Sequence, residues 1–580
     1  MHNVFLWIVL TAFVAATAAL AVYGVHLYAL LCLFRRKSAS KRREQQETIA
    51  AYQRDNAAHS WPVVTTQLPI YNERDVVERL VEATAAIDYP PDRHEIQILD
   101  DSDDSTRDQV DGVVRCLQSQ GVDVKVIRRP DRSGFKAGAL ATGLAAARGQ
   151  YVAVFDADFV PPKDFLRRAI PLLESRADLA CLQGRWSHLN RHESWLTEAQ
   201  ALGIDGHFAI EQGARAWNGL MMNFNGTAGV WCKAAIDDPA VGGWSGDTLT
   251  EDLDLSYRAQ LAGWKLDYCL DLACPAELPG TVGALKSQQR RWATGSIQVA
   301  RKLLPKVWRA PISLAEKIEA TLHLTHYSVA LWMLLLAVIA RPMLLVVSEG
   351  LIIGEWFWIA WAAILVSAVA PSMVYAYARY SLGGRWSGLR TIPSMLILGC
   401  GMCVNNTLGV LRGLFSWGGE FVRTPKSGSA DTVRAAGANT TSPLVRESLL
   451  APTQGTNTAG ANTASPTTAG ANPAGANPAG ARIPSPAGAR IPSRTSYQVA
   501  LNHTWIAEIV LGIYSLLSFL LYFSSYHRAF SIFLLLYAIG FLLIGWLSRP
   551  QKPKRSGVAA GVAPILTGKI TTVESAGAAQ

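Results

Sequence analysis

The chain has 580 residues, of which 50% are hydrophobic and 17% are charged, and its formal net charge is +9. With a mean hydropathy of +0.15, it is too apolar for an ordinary soluble enzyme and long enough for a catalytic domain with several membrane spans. The basic residues cluster beside apolar segments, which is typical of cytoplasmic flanks and argues against a nucleic-acid partner. The one Cys-x-x-Cys pair, Cys400 and Cys403, has no second pair nearby to complete a zinc site, so we expect reduced thiols in a cytoplasmic setting.

Residues 1–34 are predicted to form the first transmembrane helix. This segment is apolar and has no Lys or Arg, whereas Arg35-Arg36-Lys37 follow it directly. The order is the reverse of that in a cleavable signal peptide, so we expect a retained span with its N-terminus outside. Residues 35–60 are interpreted as a basic cytoplasmic linker.

Residues 61–305 are predicted to form an α/β domain, because short β-type runs alternate with helical patterns. Acidic residues follow two of these runs directly: Asp100-Asp101 after Ile96–Leu99, and Asp156-Ala157-Asp158 after Tyr151–Phe155. In open α/β sheets, ligands bind outside the carboxyl ends of the strands. A nucleotide site is therefore expected at these strand ends.

Four more apolar segments of spanning length follow, at roughly 322–347, 354–378, 504–524 and 528–547. We therefore divide this region into 306–380, an interfacial helix with two transmembrane helices, and 500–550, a second pair of transmembrane helices. The segment 381–426 is apolar in part but holds Asn405-Asn406 and Arg412. A crossing there would place the basic tail outside, so we interpret it as an interfacial or re-entrant element, which leaves five spans.

Residues 427–499 are rich in Ala, Gly, Pro, Ser, Thr and Asn and contain tandem copies of Gly-Ala-Asn-Pro. Almost no large apolar residues are present to be buried, so a disordered cytoplasmic linker is predicted. The tail, residues 551–580, is likewise predicted to be disordered and cytoplasmic.

Asp156 and Asp158 are candidate metal ligands. Mg²⁺ or Mn²⁺ is usually held by one or two carboxylates plus substrate phosphates, although an acidic turn after a strand would give the same pattern. Asp100 and Asp101 can bind a nucleoside base or ribose, and the alternative is a solvated acidic loop. Lys136 lies in a glycine-containing run and is suited to a diphosphate, although the spacing is not that of a Walker loop.

Thr250-Glu251-Asp252 opens a helical pattern and supplies carboxylates that can deprotonate an acceptor hydroxyl. Thr248 and Glu251 also fit a capping box, so a structural role is the alternative. Gln288–Trp292 follows later in the chain and offers a guanidinium for the charge on a departing nucleotide diphosphate and an indole as a shelf for a sugar face. The alternative there is an interfacial Arg/Trp anchor.

Phe421–Lys426 has two interpretations. It is either a basic juxtamembrane segment or a mobile lid in which Thr424 and Lys426 touch the nucleotide diphosphate. His323 and His326 have helical spacing but no carboxylate partner in the sequence, so we expect them to be packed or interfacial rather than metal ligands.

Several runs occur in an order that resembles a known family. They are Leu68–Arg74, Ile98–Ser102, Gly134–Leu140, Phe155–Phe159, Phe224–Trp231, Thr250–Asp252 and Gln288–Trp292. Together they resemble the family 2 processive glycosyltransferases over about residues 61–305. Glu277-Leu278-Pro279, Gly295 and Arg301-Lys302 point to the cellulose-synthase-like A and C branches, the mannan and glucan backbone synthases. Phe421–Lys426 resembles the gating loop of cellulose synthases, with Arg423 where those enzymes usually carry Val.

The resemblance implies an α/β domain of the GT-A type that binds a nucleotide sugar, embedded in an α-helical multi-pass membrane protein. It further implies an inverting single displacement at a cytoplasmic active site. Asp252, with Glu251 beside it, would be the general base, and Asp156 and Asp158 would hold Mg²⁺ or Mn²⁺. The remaining roles divide into nucleotide-sugar binding by Tyr71, Glu73, Asp100, Asp101, Lys136, Asp156 and Arg291, acceptor binding by Gln288, Trp292, Gly226 and Thr227, and gating by Phe421, Thr424 and Lys426.

We therefore predict a hexosyltransferase of a plasma or inner membrane that polymerises units from UDP-glucose or GDP-mannose. The expected product is a β-1,4-linked glucan or (gluco)mannan that grows on a polysaccharide acceptor and is extruded across the bilayer. Two other classes remain open. A glycolipid synthase would add one sugar to a lipid with similar motifs, and a non-enzymatic membrane scaffold would carry the acidic groups incidentally.

Overall fold

The computed structural model describes residues 2–55, 61–351, 354–384, 386–419, 503–524 and 531–550. Its centre is a seven-stranded sheet within these ranges. The strands are β1 (Val64–Ile70), β2 (His94–Asp100), β3 (Val124–Ile127), β4 (Tyr151–Val154), β5 (Leu179–His188), β6 (Gly229–Cys232) and β7 (Lys265–Ala276). The expected α/β class is confirmed.

Helices surround the sheet and continue beyond it. Those of the α/β region are α1 (His2–Asp55), α2 (Val77–Ala85), α3 (Thr106–Ser119), α4 (Phe135–Ala145), α5 (Phe165–Glu174), α6 (Trp195–Gly206), α7 (Gly213–Trp217), α8 (Lys233–Asp237) and α9 (Glu251–Leu261). A π-helical turn, His207–Gln212, joins α6 to α7. The later helices are α10 (Val282–Arg309), α11 (Leu314–Thr325), α12 (Ser328–Ser348), α13 (Gly354–Ser381), α14 (Ile392–Phe415), α15 (Thr504–Phe523) and α16 (Ser531–Leu547).

The strand order, β3-β2-β1-β4-β6-β5-β7, brings the functional segments to one edge of the sheet. Strands β1 to β4 are parallel, so the segments that follow β1, β2 and β4 leave from the same edge. Strand β6 is antiparallel to β4 and to β5, so the segment that precedes β6 lies at that edge too. Strand β7 is parallel to β5 and ends there as well. The segments that follow β3 and β5 leave from this edge as well, so connections of all seven strands converge where a ligand is expected.

The central strands are buried because helices cover both faces of the sheet. Every residue of β2 is buried, and β1 is buried except for Pro69. A strand covered on both faces reads as a nearly continuous apolar run, as Ile96–Leu99 does in part. Two large clusters of buried apolar side chains result, one on each face.

Helix α1 is longer than the predicted first span. It runs without a break for 54 residues, so the apolar segment and the basic segment after it form one helix. Its basic half is attached to the α/β domain, where Arg42 binds Asp271 through two hydrogen bonds of 2.7 and 2.9 Å and Gln45 donates to the carbonyl oxygen of Tyr268. The described part of the basic linker is thus helical.

Five of the described helices are long and apolar enough to cross a membrane, judged by length and composition. They are His2–Asp55, Ser328–Ser348, Trp358–Ser381, Gly388–Phe415 and Thr504–Phe523, whereas Ser531–Leu547 is shorter. The segment 381–426 does not contain a re-entrant hairpin in its described part, because α14 is one continuous helix of 24 residues. Its Asn405 is fully buried and binds the guanidinium of Arg290 in α10. An interfacial helix packed on α10 remains our interpretation of this segment, and the count of five spans remains a prediction.

The predicted linker 427–499 and tail 551–580 lie outside the described residues, as do Phe421, Thr424 and Lys426 of the predicted gating loop.

Candidate active site

One cleft at the carboxyl edge of the sheet collects most of the predicted site residues. Those that line it are Tyr71, Glu73, Asp101, Lys136, Asp156, Asp158, Gly226, Glu251, Asp252, Gln288, Arg291 and Trp292. The residues up to Asp158 follow β1, β2, β3 and β4, and Gly226 precedes β6. The residues from Glu251 onward lie on α9 and α10. Residues that are far apart in the sequence therefore meet because of the parallel order of the strands and because two helices close over the edge.

Lys136 is the central cation of the cleft. Its ammonium donates to Asp156 Oδ1 at 2.5 Å and to the carbonyl oxygen of Gly226 at 2.8 Å, and it lies 3.9 Å from Glu251 Oε1. Burial opposes the charged form, but Asp156 and Glu251 more than offset this effect and raise the pKa of Lys136. Helix α4 begins after Gly134, whose φ of +68° is available to glycine at little strain. That turn aims the first residues of α4 into the cleft.

Asp252 is held in an environment that favours its protonated form. Burial, and then the neighbouring charge of Glu251, raise its pKa to about 7, against the opposing effect of Lys136. A general base is most effective when its pKa lies near the working pH. The geometry of Asp252 is therefore suited to accepting a proton from a substrate.

Gly226 permits the close approach of Asp252 and Lys136. Its φ is +83°, and a Cβ atom at this position would lie 2.9 Å from Asp252 Oδ2 and 3.3 Å from Lys136 Nζ. A side chain would thus meet strain and a steric conflict at once. Thr227, the next residue, is buried beneath the cleft, and its hydroxyl accepts the backbone N–H of Asp156 at 2.8 Å.

Asp156 and Asp158 supply the oxygen donors that a hard divalent cation prefers. Both carboxylates face the cleft just after β4. Within the part of the chain that the structure describes, no group of three or more His, Cys, Asp or Glu residues is arranged to hold a metal ion. Two carboxylates beside a diphosphate-sized cleft fit Mg²⁺ or Mn²⁺, because these ions take most of their remaining ligands from water and substrate phosphates.

Helix α10 divides the predicted Gln-x-x-Arg-Trp motif between two faces. Gln288, Arg291 and Trp292 line the cleft. Arg290 instead binds Asn405 in α14 at 2.8 and 3.1 Å, and Gln289 accepts the Tyr327 hydroxyl at 3.3 Å. The motif therefore contains both residues that face the cleft and residues that fix the helix.

Arg291 faces the carboxylates of the cleft. Burial lowers the pKa of its guanidinium, and the charges of Glu251, Asp156, Asp252 and Asp158 act in the opposite direction. A cation placed opposite these groups can offset negative charge that develops on a leaving diphosphate. Trp292 lies further along the cleft, with its ring 6.4 Å from that of Trp186.

The two aspartates after β2 have different surroundings. Asp101 lines the cleft and forms an ion pair with Arg129. Asp100 is fully buried, where it accepts from Arg128 at 2.8 Å and from the backbone of Ser102 at 3.0 Å, and it does not line the cleft. Asp101 is thus the member of the pair that can reach a ligand, and Asp100 shapes the loop.

Tyr71 is covered by a cation. The Arg132 guanidinium carbon lies 3.2 Å from the centre of the Tyr71 ring, a cation–π contact at the mouth of the cleft. No role was predicted for Arg132, Trp186, Asn225 or Glu277, which also line the cleft. Asn225 and Glu277 belong to runs that carried the resemblance, so a signal existed for them, whereas Arg132 lies just before such a run and Trp186 lies in an ordinary strand pattern.

Close packing sets the distance between the Asp252 segment and α10. A Cβ atom at Gly295 would lie 2.5 Å from Thr250 Cγ2, so only glycine lets the two elements touch. Gln298 accepts the Leu249 N–H at 3.0 Å, and Lys302 binds Asp254 at 2.8 Å. Asp252 and the cleft-facing residues of α10 are therefore held as one unit.

A chamber of about 390 Å³ adjoins the cleft and shares Asp252, Gln288 and Trp292 with it. His323 and His326 line this chamber, but they bind within the protein: His323 pairs with the Tyr257 hydroxyl at 2.8 Å, and His326 contacts the carbonyl oxygen of His323 at 2.7 Å. A further apolar cavity of about 350 Å³ lies between the membrane-type helices. It shares Tyr375, Met395 and Gly399 with the chamber.

Comparison with known proteins gives this cleft a context. Residues 62–295 match the model of the family described as "Glycosyltransferase like family 2". The chain is 42% identical over 255 residues to Glucomannan 4-beta-mannosyltransferase 2 of Arabidopsis thaliana, a match that covers 43% of this chain and 47% of the relative. It is 38% identical over 300 residues to Probable glucomannan 4-beta-mannosyltransferase 9 of Oryza sativa subsp. japonica, covering 50% and 55%.

Among solved structures, the chain is similar to the mannosyltransferase PcManGT from Pyrobaculum calidifontis in complex with GDP-Man and Mn²⁺. The sequence identity is 18% and the TM-score 0.40, and the match covers 68% of this chain and 99% of that one. The chain spans about half the length of the curated relatives it matches. The match to the family model is confined to residues 62–295.

Proposed function

We propose that the protein is a membrane-embedded, inverting glycosyltransferase that polymerises hexosyl units from a nucleotide sugar into a β-1,4-linked chain and extrudes it. One observation carries the proposal. Asp252, with a pKa of about 7, shares a single cleft with Lys136, Asp156 and Arg291, and that cleft shares Trp292 with a chamber that adjoins the cavity between the membrane-type helices.

Asp252 acts as the general base. An acceptor hydroxyl held next to its carboxylate transfers its proton to Asp252 Oδ2 as the acceptor oxygen attacks the anomeric carbon, and the bond to the diphosphate breaks on the opposite side. The single displacement inverts the configuration. Gly226 keeps the approach to Oδ2 open, because no side chain stands there.

Lys136 and Arg291 stabilise the departing nucleoside diphosphate. Both are partly buried cations that face the carboxylates of the cleft, so an incoming diphosphate would meet donors that are already in position. Asp156 and Asp158 would hold Mg²⁺ or Mn²⁺, which supplies a Lewis acid for the diphosphate oxygens. Tyr71, Glu73 and Asp101, which line the same cleft, bind the nucleoside.

The acceptor lies along Trp292 and Gln288 and continues into the chamber. Aromatic rings suit the apolar faces of pyranose units, and the chamber has both aromatic and polar side chains. The cleft, the chamber and the cavity between the helices adjoin one another through shared lining residues, which supports a growing polymer rather than a single transfer. The catalytic domain would lie in the cytoplasm of a plasma or inner membrane, in keeping with the basic flank of the first apolar segment.

Mannose is our first choice of donor sugar. The relatives named above are mannosyltransferases by their names, which favours GDP-mannose over UDP-glucose and a mannan or glucomannan over a glucan. The purified protein in lipid nanodiscs should be incubated with each radiolabelled donor, and the product sized by gel filtration and digested with linkage-specific β-mannanase or β-glucanase. A large, mannanase-sensitive product is expected.

Other outcomes would replace the proposal. Label that is confined to a lipid extract would indicate a glycolipid synthase. Absence of nucleoside diphosphate release with either donor, in the presence of Mg²⁺ or Mn²⁺, would exclude both enzymatic interpretations.

A further inference from the structure

Lys286 is a buried cation in α10 that the reaction described above does not use. Only 6% of its surface is exposed. Its ammonium lies 2.7 and 3.0 Å from the two carboxylate oxygens of Glu508, 2.9 Å from Thr504 Oγ1 and 3.2 Å from Ser548 Oγ. Glu508 is fully buried. The charge and the donor capacity of Lys286 are thus matched by a set of convergent oxygens.

All four oxygens lie in the C-terminal helices or directly after them. Thr504 and Glu508 lie in α15, and Ser548 follows the last residue of α16. These helices come after the long segment 420–502 and are separated from Lys286 by more than two hundred residues of sequence. A second contact lies between α16 and α14, where the backbones of Gly540 and Gly401 approach so closely that a Cβ atom on Gly401 would be 2.5 Å from the Gly540 oxygen.

Lys286 lies on the face of α10 that is turned away from the cleft. With about 100° per residue, Lys286 and Arg290 lie on one face of the helix, and Gln288, Arg291 and Trp292 lie on the other. Asn405 of α14 binds the face of α10 that carries Lys286 and Arg290. Its amide donates to the Lys286 carbonyl oxygen at 3.0 Å and accepts from Arg290. The side chains that bind the acceptor therefore project from a helix whose back is fixed by charge.

We propose that Lys286 is a positioning residue that seats the α15–α16 pair on α10 and thereby sets the height of Gln288 and Trp292 beside the acceptor. A buried ammonium is strongly unfavourable without its partner, so the helix pair and α10 are expected to stay together as one body. The effect on the acceptor rests on the proposed function, whereas the docking of the helix pair does not.

The docking is tested on the full chain with a protease site inserted at about residue 465, which the sequence places in the linker. After cleavage in mild detergent, the C-terminal fragment of the otherwise unchanged protein should remain bound through an affinity tag at the N-terminus. Lys286→Met should release it, with a weakening of about 100-fold or more, as is typical when one partner of a buried ion pair is removed. Lys302→Met, which removes another α10 lysine that pairs with Asp254, should retain the fragment.

A charge exchange separates docking from a general failure to fold. Lys286→Glu combined with Glu508→Lys restores opposite charges at the same place, and the hydroxyls of Thr504 and Ser548 can donate as well as accept. The double variant should hold the fragment better than Lys286→Glu alone. If Lys286→Met keeps the fragment as tightly as the unchanged protein, or if the exchange gives no recovery, the docking role is wrong.

The positioning role has a kinetic readout. Lys286→Met should raise KM for an oligosaccharide acceptor while the KM for donor and the slow hydrolysis of donor by water stay unchanged, and Lys286→Arg should recover most of the transfer. An equal loss of donor hydrolysis and of transfer would refute positioning and leave a merely structural ion pair. If the protein transfers no sugar at all, the proposed function fails while the fragment-retention result still decides the docking.

Discussion

Buried charge is handled in opposite ways in the cleft and between the helices. In the cleft, Asp252 lies beside a second carboxylate, Glu251, and its pKa rises to about 7 because burial and the charge of Glu251 outweigh the opposing effect of Lys136. Between the helices, Lys286 and Glu508 carry opposite charges and form an ion pair at 2.7 Å. The difference lies in the neighbouring charge: a like charge beside Asp252 favours uptake of a proton, whereas an opposite charge beside Lys286 favours a fixed contact between helices.

The change with the largest expected effect removes the carboxylate of Asp252. Asp252→Asn keeps the shape of the side chain but cannot accept a proton, so transfer should fall roughly 10²-fold to 10⁴-fold, the contribution typical of a general base. Nucleotide binding, followed by isothermal calorimetry, should remain nearly unchanged, because Lys136 and Asp156 stay in place. Turnover within a few-fold of the original would move the base to another residue, with Glu251 the next candidate.

Loss of the proposed divalent metal ion should also lower the rate of sugar transfer strongly. Asp158→Ala, or a chelator, should lower transfer by roughly 10²-fold or more, because the diphosphate is a poor leaving group without charge compensation worth several kcal/mol. Asp164→Ala is the matched control, since Asp164 is a carboxylate of the same domain that pairs with Arg168 outside the cleft. Full activity in the presence of chelator would show that Lys136 and Arg291 suffice.

The close approach at Gly226 offers a smaller and more local perturbation. Gly226→Ala should lower transfer by at least about tenfold, because the new methyl group would displace Asp252 or Lys136, and tenfold corresponds to only about 1.4 kcal/mol. Gly219→Ala is its control: the backbone there has a φ of +71°, but no atom lies within 4 Å of the added Cβ. Both variants carry backbone strain of about 1 kcal/mol, visible as a lower Tm, so the difference between their activities isolates the contact. Equal activities would mean that the contact is unimportant.

The sequence allowed prediction of those residues whose position follows from strand order. Asp156 and Asp158 follow β4, and a carboxylate at the end of a central parallel strand lies at the edge of the sheet where ligands bind. The choice between Asp100 and Asp101 was not accessible, because it depends on which of two successive side chains turns toward the cleft.

The helical region was harder to predict because the contacts of its polar residues are made with residues that are distant in the sequence. The pair Asn405-Asn406 in an apolar segment suggested an interfacial or re-entrant element, yet α14 is continuous, since Asn405 is satisfied by Arg290 and the Lys286 backbone. The contact between Lys286 and Glu508 joins positions 222 residues apart. Composition and periodicity give no indication of such a pair.

The mildest perturbation is a change of pH, which titrates Asp252 without altering its surroundings. Its folded-state pKa of about 7 lies above the value near 3.9 of an unperturbed Asp, so the base becomes ionised, and transfer should rise, as the pH increases through about 7. One unit below that pKa the rate should be about tenfold lower than on the plateau. The residual activity of Asp252→Asn should not show this step, and a step of the same size in that variant would assign the titration to another group.

The same shift has a consequence for stability with the opposite direction. Because the unfolded chain gives up the Asp252 proton near pH 4 and the folded chain keeps it until about pH 7, stability should fall between these values as the pH rises and then level off. Asp252→Asn removes this term, so its thermal midpoint should exceed that of the unchanged protein at pH 8 and approach it at pH 4. A variant that is both inactive and more stable at pH 8 would identify Asp252 as a strained catalytic group, whereas lower stability at both pH values would mean that its carboxylate, like that of Glu508, holds the structure together.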